Sequence, residues 1–231
     1  MAPAISVCVC TLQESTQIGA LLDHLAALQG GERMQVIVAD GGSTDGTAAL
    51  ARGHGRADVV IEVEGGRALQ LNAAAAAATG ELLVFLHADS RLPPRAIPTL
   101  RAAAQDPGLH GGNFALRFDG LGTFSALLSA VYRAQRRLGF YYGDSTLWLR
   151  REAFDALGGF RELPIMDDYD LVRRLEARGR TAALPGPTTT SARRWQAIGI
   201  TRTLASWWLI RWLYVAGVPA ERLQHWYRVV R

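Results

Sequence analysis

Residues 35–47, QVIVADGGSTDGT, decide the fold. Residues 35–39 form a short β-branched run of the kind a buried strand requires. The run stops at Asp40. A polar, glycine-rich loop, Gly41-Gly42-Ser43-Thr44-Asp45-Gly46, then leads into a helix from Thr47. Working outward, the same alternation recurs. Residues 4–10 (AISVCVC) read as a strand. A helix capped by Thr16 follows to Leu28, with Ile18, Leu21, Leu22, Leu25 and Leu28 on one face and Gly30-Gly31 as its stop. A third strand covers 59–63. After Gly65-Gly66 a helix runs from Arg67 through the alanine tract to Gly80, since alanine is the best helix former. A fourth strand, 82–86 (LLVFL), ends in His87-Ala88-Asp89. Strand and helix at this spacing predict βαβ units and a parallel sheet. Ligands of such sheets bind beyond the carboxyl ends of the strands, where Asp40 and Asp89 both fall.

The second half reads as mixed. Helices are expected over 94–104, 123–138, 151–157 and 168–178, the last with Leu171, Val172 and Leu175 inward. Strands are expected over 113–118 and 146–149, with short extended pieces at 181–184 and 188–191. From Gly199 the chain predicts two apolar helices broken at 217–219. The expected fold class is therefore α/β: a mixed, mainly parallel sheet flanked by helices, with residues 1–198 as the domain and 199–231 as a helical tail.

Composition narrows the function. The 231 residues suffice for one α/β domain and are tight for two. An apolar fraction of 49% excludes a disordered chain. A net charge of +4 is too mild to point to nucleic acid. Every basic residue is arginine, which removes Schiff-base lysine chemistry and a Walker lysine together. Cys8 and Cys10 share one strand face without zinc-type spacing and read as small buried thiols. No basic region precedes an apolar stretch at the start of the sequence, so a cytoplasmic location is the default expectation. The longest apolar run, 204–218, is interrupted by Arg211; at roughly 22 Å as a helix it is short of a hydrocarbon core of roughly 30 Å. Such a segment can lie on a bilayer without spanning it.

Four groups could carry chemistry. Asp40 can accept from a sugar hydroxyl or base N–H, or can simply shape its own loop through an Asx turn. Asp89 can hold Mg²⁺ or Mn²⁺ together with substrate phosphates, with His87 two residues before it. Asp167, Asp168 and Asp170 crowd the start of a helix. The dipole favours acids there, yet three exceed what capping needs, and mutual repulsion predicts a raised pKa in one of them, suited to a general base. Arg193-Arg194 can clamp a diphosphate, and the Trp195 indole can stack on a sugar or base or belong to the core.

With these pieces in place, the chain resembles the family 2 glycosyltransferases of the GT-A fold. The residues that carry the resemblance are VIVADGGSTDGTA (36–48), GGRALQLNAAAAAATGELLVFLHADS (65–90), LRREAFDALGGF (149–160) and MDDYDLVRRLEARG (166–179), in the family's order. A bacterial branch carrying LHAD, YGD and TTSARRW is the most similar, and some of its members are named for arsenosugar biosynthesis. The resemblance implies that Thr11, Glu14 and Asp40 line the nucleoside pocket and that Arg67 lies near the nucleotide. Asp89 matches the metal-binding end of DxD. Asp168, beside Asp167, matches the catalytic base of the ED pair. Asp144, Arg193, Arg194 and Trp195 fall on the acceptor and diphosphate side.

The implied reaction is inverting transfer from a UDP- or GDP-sugar to an acceptor hydroxyl with Mg²⁺ or Mn²⁺. The apolar tail adds an expectation of contact with the inner face of the cell membrane, bringing a lipid-linked acceptor, or of a homodimer, or of packing on the core. The chain departs from the family at Cys10, Gln13, Gly41, His87, Asp167 and Ser191. Two rivals remain. A nucleotidyltransferase needs a glycine-rich, basic loop after the first strand, where this chain has Thr11-Leu12-Gln13-Glu14. A non-catalytic sugar-nucleotide-binding or membrane scaffold has no need of the acids at Asp40, Asp89 and Asp168.

Overall fold

The first strand, β1 (Ile5–Thr11), lies between β2 (Gln35–Asp40) and β4 (Leu82–His87), parallel to both, and is covered on its two faces. That double burial is why these strands read as unbroken apolar runs. The computed structural model describes residues 4–29, 34–120, 122–191, 195 and 199–227. Among them the sheet has the order β3-β2-β1-β4-β7-β6-β8-β5. Here β3 is Val59–Glu62, β5 Ser90–Arg91, β6 Leu109–Asp119, β7 Leu147–Arg150 and β8 Arg180–Ser191. Pairs β1·β2, β1·β4, β2·β3 and β6·β8 are parallel, and β7 runs antiparallel to both β4 and β6.

Each sheet face has its own core. Val7, Val9, Val36 and Val38 point to one side, against Ile18, Leu21, Leu22 and Leu25 of α1 (Ser15–Ala26) and Ile97 and Leu100 of α4 (Ala96–Ala104). Cys8, Ile37 and Ala39 point to the other, against the alanine side of α3 (Arg67–Ala77) and Leu171, Val172 and Leu175 of α7 (Asp167–Arg178). This is the strand period of two read out in packing. Burial pushes the Cys8 thiol up to about 12, in keeping with an inert core residue.

Arginine also closes helix ends. The Arg151 guanidinium donates to the carbonyls of Ala75 in the last turn of α3 and of Ala78 and Gly80 beyond it, and Arg150 donates to those of Ala104 at the end of α4 and of Asp106 and Leu109 beyond it. Carbonyls left over at a helix C-terminus are thereby satisfied by cations, which the helix dipole favours.

The structure corrects several expected boundaries. Helix α3 stops at Ala77, because Ala78 is extended and Gly80 crosses the backbone of Ser6 too closely for a side chain. Thr16 is not the cap of α1. The helix starts at Ser15, and its leading amides are met from the loop after β2: Glu14 N–H donates to Thr47 Oγ1 (2.9 Å) and Ser15 N–H to Asp45 Oδ2 (3.0 Å). The two extended pieces at 181–184 and 188–191 are one strand, β8, which absorbs Pro185-Gly186-Pro187 through a register shift against β6. The proposed stop at Gly30-Gly31 lies outside the described residues.

Helices α5 (Thr123–Arg137) and α8 (Ile200–Val215) meet over β6. Leu116, Phe118, Leu128, Tyr132 and Trp195 are buried there, with Leu204 and Trp207 packed against them. Farther along, Ile210 joins Ile165 and Leu223, the latter from the short α9 (Ala220–Leu223). The remaining helices are α2 (Thr47–Gly53) and α6 (Arg151–Ala156).

Candidate active site

The loop after β2 is built around one carboxylate. Asp40 is fully buried, and its Oδ1 accepts from Thr11 Oγ1 (2.9 Å) and Ser43 Oγ (2.7 Å). Its Oδ2 accepts from the N–H groups of Gly42 (3.2 Å) and Ser43 (2.7 Å). A carboxylate has about four acceptor positions, so Asp40 is saturated by its own loop and by Thr11. The expected contact of its carboxyl with a nucleoside therefore meets a group already engaged, and the Asx-turn reading describes what it does here. A Cβ at Gly41 would meet the Gln70 side-chain amide, which would have to swing aside to make room for it.

A second group of acids forms where α3, α7 and the 3-10 turn at Gly143–Ser145 converge. Arg67, at the first position of α3, reaches residues 100 positions away. Its Nε donates to Asp167 Oδ2 (3.0 Å), its Nη2 donates to Asp167 Oδ1, and the same Nη2 lies 3.4 Å from Asp168 Oδ1. The fork pairs with Asp167 through both nitrogens, the geometry arginine suits best. Asp168 Oδ2 accepts from Gly143 N–H (2.7 Å), and Oδ1 from Tyr169 N–H (2.8 Å). Burial alone pushes the Asp168 carboxyl up, but Arg67, these two amides and His87 together bring it below its ordinary value. Gly143 carries no side chain where a Cβ would stand 3.1 Å from Asp168 Oδ2 and 3.3 Å from His87 Nε2.

The raised pKa predicted for the acid cluster falls elsewhere, on Asp144. Burial, followed by the Asp168 charge, pushes its carboxyl up to about 7, against the pull of Tyr132, Arg67 and Ser145. Tyr132 OH donates to Asp144 Oδ2 at 3.4 Å, while Oδ1 is buried with no hydrogen-bond partner among the described residues. The physical reason is position. Asp168 sits beside the guanidinium and two amides, whereas the partner of Asp144 is a single phenol at 3.4 Å, with the Asp168 charge nearby. No local pattern announces Tyr132 or Gly143, because both act on acids distant in sequence or through their backbone.

Asp89 occupies the tight turn between β4 and β5 and is half-buried. His87 ends β4, with its pKa lowered first by burial and then by Arg67. Among the described residues no three acids, histidines or cysteines gather as a metal cluster. A single carboxylate at a strand end still suits Mg²⁺ or Mn²⁺, which are commonly held by one or two carboxylates plus substrate phosphates. Glu14 precedes α1 and is half-buried. Trp195 does not offer a stacking surface. Its ring is buried in the aromatic cluster under α8, at steep angles to Phe118 (5.5 Å) and Trp207 (5.2 Å). Arg193 and Arg194 lie outside the described residues.

Acids at the carboxyl ends of parallel strands, with an arginine-held acid pair at a helix start, agree with the family to which residues 6–161 match, Glycosyl transferase family 2. The chain belongs to this family. It is 27% identical over 228 residues to the Beta-monoglucosyldiacylglycerol synthase of Synechocystis sp., a match covering 89% of this chain and 46% of that protein. The chain thus spans less than half the length of the curated relative. Among solved structures it is similar to the mannosyltransferase PcManGT of Pyrobaculum calidifontis in complex with GDP-Man and Mn²⁺, at 25% identity and a TM-score of 0.71, covering 94% of this chain and 64% of that one. It also shares its fold with S. aureus TarS 1–349 in complex with UDP-GlcNAc, at 18% identity and a TM-score of 0.68, covering 81% and 58%. The mixed α/β sheet flanked by helices is the GT-A fold of these neighbours.

Proposed function

We propose that this chain transfers a sugar, with inversion, from a nucleotide-diphospho-sugar to an acceptor hydroxyl. The observation that carries the reading is Asp168, kept ionised by Arg67 and two backbone amides at the sheet's carboxyl-end rim. The acceptor oxygen attacks the anomeric carbon from the face opposite the phosphate. The bond from that carbon to the phosphate oxygen breaks, the nucleoside diphosphate departs, and the hydroxyl proton passes to Asp168. No covalent intermediate on the protein is required. Asp167 holds Arg67 in place, and the guanidinium in turn sets the protonation state of Asp168. The Thr11–Asp40 loop forms the wall of the nucleoside pocket through its backbone, as its carboxylate is committed internally.

The Mn²⁺ in the PcManGT complex supports a divalent metal here, Mg²⁺ or Mn²⁺, with Asp89 as the residue to hold it beside the donor phosphates. Such an ion supplies neutralisation of the departing diphosphate. GDP-Man in the same complex supports a GDP-sugar, with a UDP-sugar as the other donor class to test. The name of the Synechocystis relative supports a lipid-borne acceptor hydroxyl.

The test is calorimetry of GDP and UDP binding with and without Mn²⁺. Asp89→Ala should abolish the metal-dependent part of the affinity, and His87→Ala should be much milder. Full metal-dependent affinity in Asp89→Ala would overturn the metal assignment. A thermal-shift panel of nucleotide-sugars, read together with nucleotide release, then selects the donor.

A further inference from the structure

Helix α8 is apolar on two sides, which a helix packed on one side does not need. Its inner side, Thr203, Leu204, Trp207 and Ile210, meets the core clusters. The outer side carries Trp208 (57% exposed), Leu209, Trp212 (56%) and Val215. The spacing of Leu204, Trp208 and Trp212 predicts one face, but Leu204 turns inward and the two tryptophans turn outward. Beside α8, α5 packs inward through Leu128 and Tyr132 and exposes Leu127 and Val131. Monomeric proteins rarely leave so many large apolar side chains in one region uncovered.

We infer that the outer sides of α5 and α8 form a docking surface for an anionic lipid bilayer. Charge selects this occupant. Neither helix contains an aspartate or glutamate, and every charged residue in them is arginine: Arg133, Arg136 and Arg137 on α5, Arg202 and Arg211 on α8. Arg133, Arg137 and Arg202 are exposed beside the apolar strip. Tryptophan flanked by arginine is the composition an interfacial helix uses: the indole enters the headgroup boundary and the cation meets lipid phosphate. A second copy of this chain suits the face less well. A two-fold interface would set this cationic rim against itself with no acid on either helix to compensate. At 16 residues α8 is about 24 Å long, and none of the described helices is long and apolar enough to cross a membrane, so the contact lies in the plane of the surface.

Position ties this face to the candidate site. Trp207 touches Tyr132 and Tyr142 (ring centroids 6.3 Å apart in each case), Tyr132 binds Asp144, and Tyr142 stacks on Tyr169, next to Asp168. A bilayer against the outer side of α8 is thus linked to the acids through the helix itself, Trp207 and the two tyrosines. The inference deepens the proposed lipid-borne acceptor and rests on that reading for its purpose. Vesicle binding and donor binding are measured separately, so either can fail alone.

The experiment is co-sedimentation of the full chain with vesicles of phosphatidylcholine alone or with phosphatidylglycerol added, at low and high salt. The expected result is recruitment by the anionic vesicles that weakens with salt. The double variant Trp208→Glu/Trp212→Glu should lose roughly tenfold or more of the partitioning while keeping its melting temperature, because both rings are already solvent-exposed. Leu50→Glu, at an exposed apolar residue on α2, should change nothing. A wild-type chain that stays in the supernatant overturns the inference. So does equal partitioning of the double variant, or equal loss in Leu50→Glu. A concentration-dependent dimer that the double variant abolishes, without vesicle recruitment, assigns the face to a second copy instead.

Discussion

Asp40 and Asp144 both stand near the carboxyl-end rim of the sheet, the first fully buried and the second half-buried, and their surroundings are opposite. Asp40 takes four hydrogen bonds from Thr11, Gly42 and Ser43, all of 3.2 Å or less. Asp144 takes one, at 3.4 Å, and leaves an oxygen without a hydrogen-bond partner among the described residues. The first carboxylate is a structural knot that joins β1 to the loop after β2. The second is held by burial and by the neighbouring Asp168 charge, against little help from donors, so it keeps a proton at a pH where an ordinary aspartate has lost it. Asp168 lies between these extremes: two amides and a guanidinium fix its charge without closing it off from solvent, since its side chain remains 13% exposed. Residue type therefore says little about role. The supply of donors decides whether an acid builds, reacts or waits.

The largest effect that comparison predicts is on turnover. Asp168→Asn should lower kcat by roughly 10²–10⁴-fold, the usual contribution of a general base, with donor affinity nearly unchanged. Asp167→Asn should behave differently. It breaks the two-nitrogen pairing with Arg67, in which the Asp167 side chain is only 3% exposed, and should cost stability in urea denaturation before it costs chemistry. If Asp168→Asn retains wild-type kcat while Asp167→Asn loses it, the base is the neighbouring residue and the two roles must be exchanged.

The next effect is on folding. Asp40→Ala leaves the Thr11 hydroxyl and the amides of Gly42 and Ser43 without their acceptor, at a residue with no exposure. An expected loss of about 1–3 kcal/mol follows from taking the acceptor away from one buried hydroxyl and two loop amides. The urea midpoint should fall. Where the variant still folds, GDP or UDP affinity should drop less than Asp89→Ala makes it drop. A variant as stable as wild type but unable to bind nucleotide would return Asp40 to the ligand and remove it from the scaffold.

The legible parts of the molecule were those written in short-range pattern. Strands β1, β2 and β4 fall within one residue of the runs at 4–10, 35–39 and 82–86, because burial on both faces leaves an unbroken apolar signature. The inward faces of α1 and α7 follow from helical spacing in the same way. The hidden parts depend on contacts between distant residues. Strand β5 has two residues and exists only because β8 pairs with it. Arg67 and Asp167 meet across 100 positions. The two-sidedness of α8 could not be read from its own composition, since what is apolar all round gives no phase, and only the packing of β6 and α5 shows which side faces in. Of the candidate site, the residues at strand ends were visible in the pattern. Their division into saturated and unsatisfied acids was not, because donors such as Gly143 and Tyr132 leave no mark near the acids they serve.

The last predicted effect has the opposite sign to the others and concerns pH. Asp144 titrates near 7 in the folded chain and near its ordinary 3.8 once unfolded. Between those values the folded state keeps a proton that the unfolded state gives up, so raising the pH favours unfolding. The stabilisation due to this group is whole below pH 3.8, declines as pH rises and is gone once pH has passed about 7. Asp144→Asn removes the ionisation while leaving an amide oxygen to accept from Tyr132. Above pH 7 the variant should be more stable than wild type by on the order of a few kcal/mol, as a pKa raised from 3.8 to about 7 implies. Near pH 4 the two should nearly coincide. Urea denaturation at pH 4 and pH 8 measures both points. Parallel stability curves for the two proteins across that range would show that Asp144 ionises freely when folded, and its contrast with Asp40 would then be one of geometry alone.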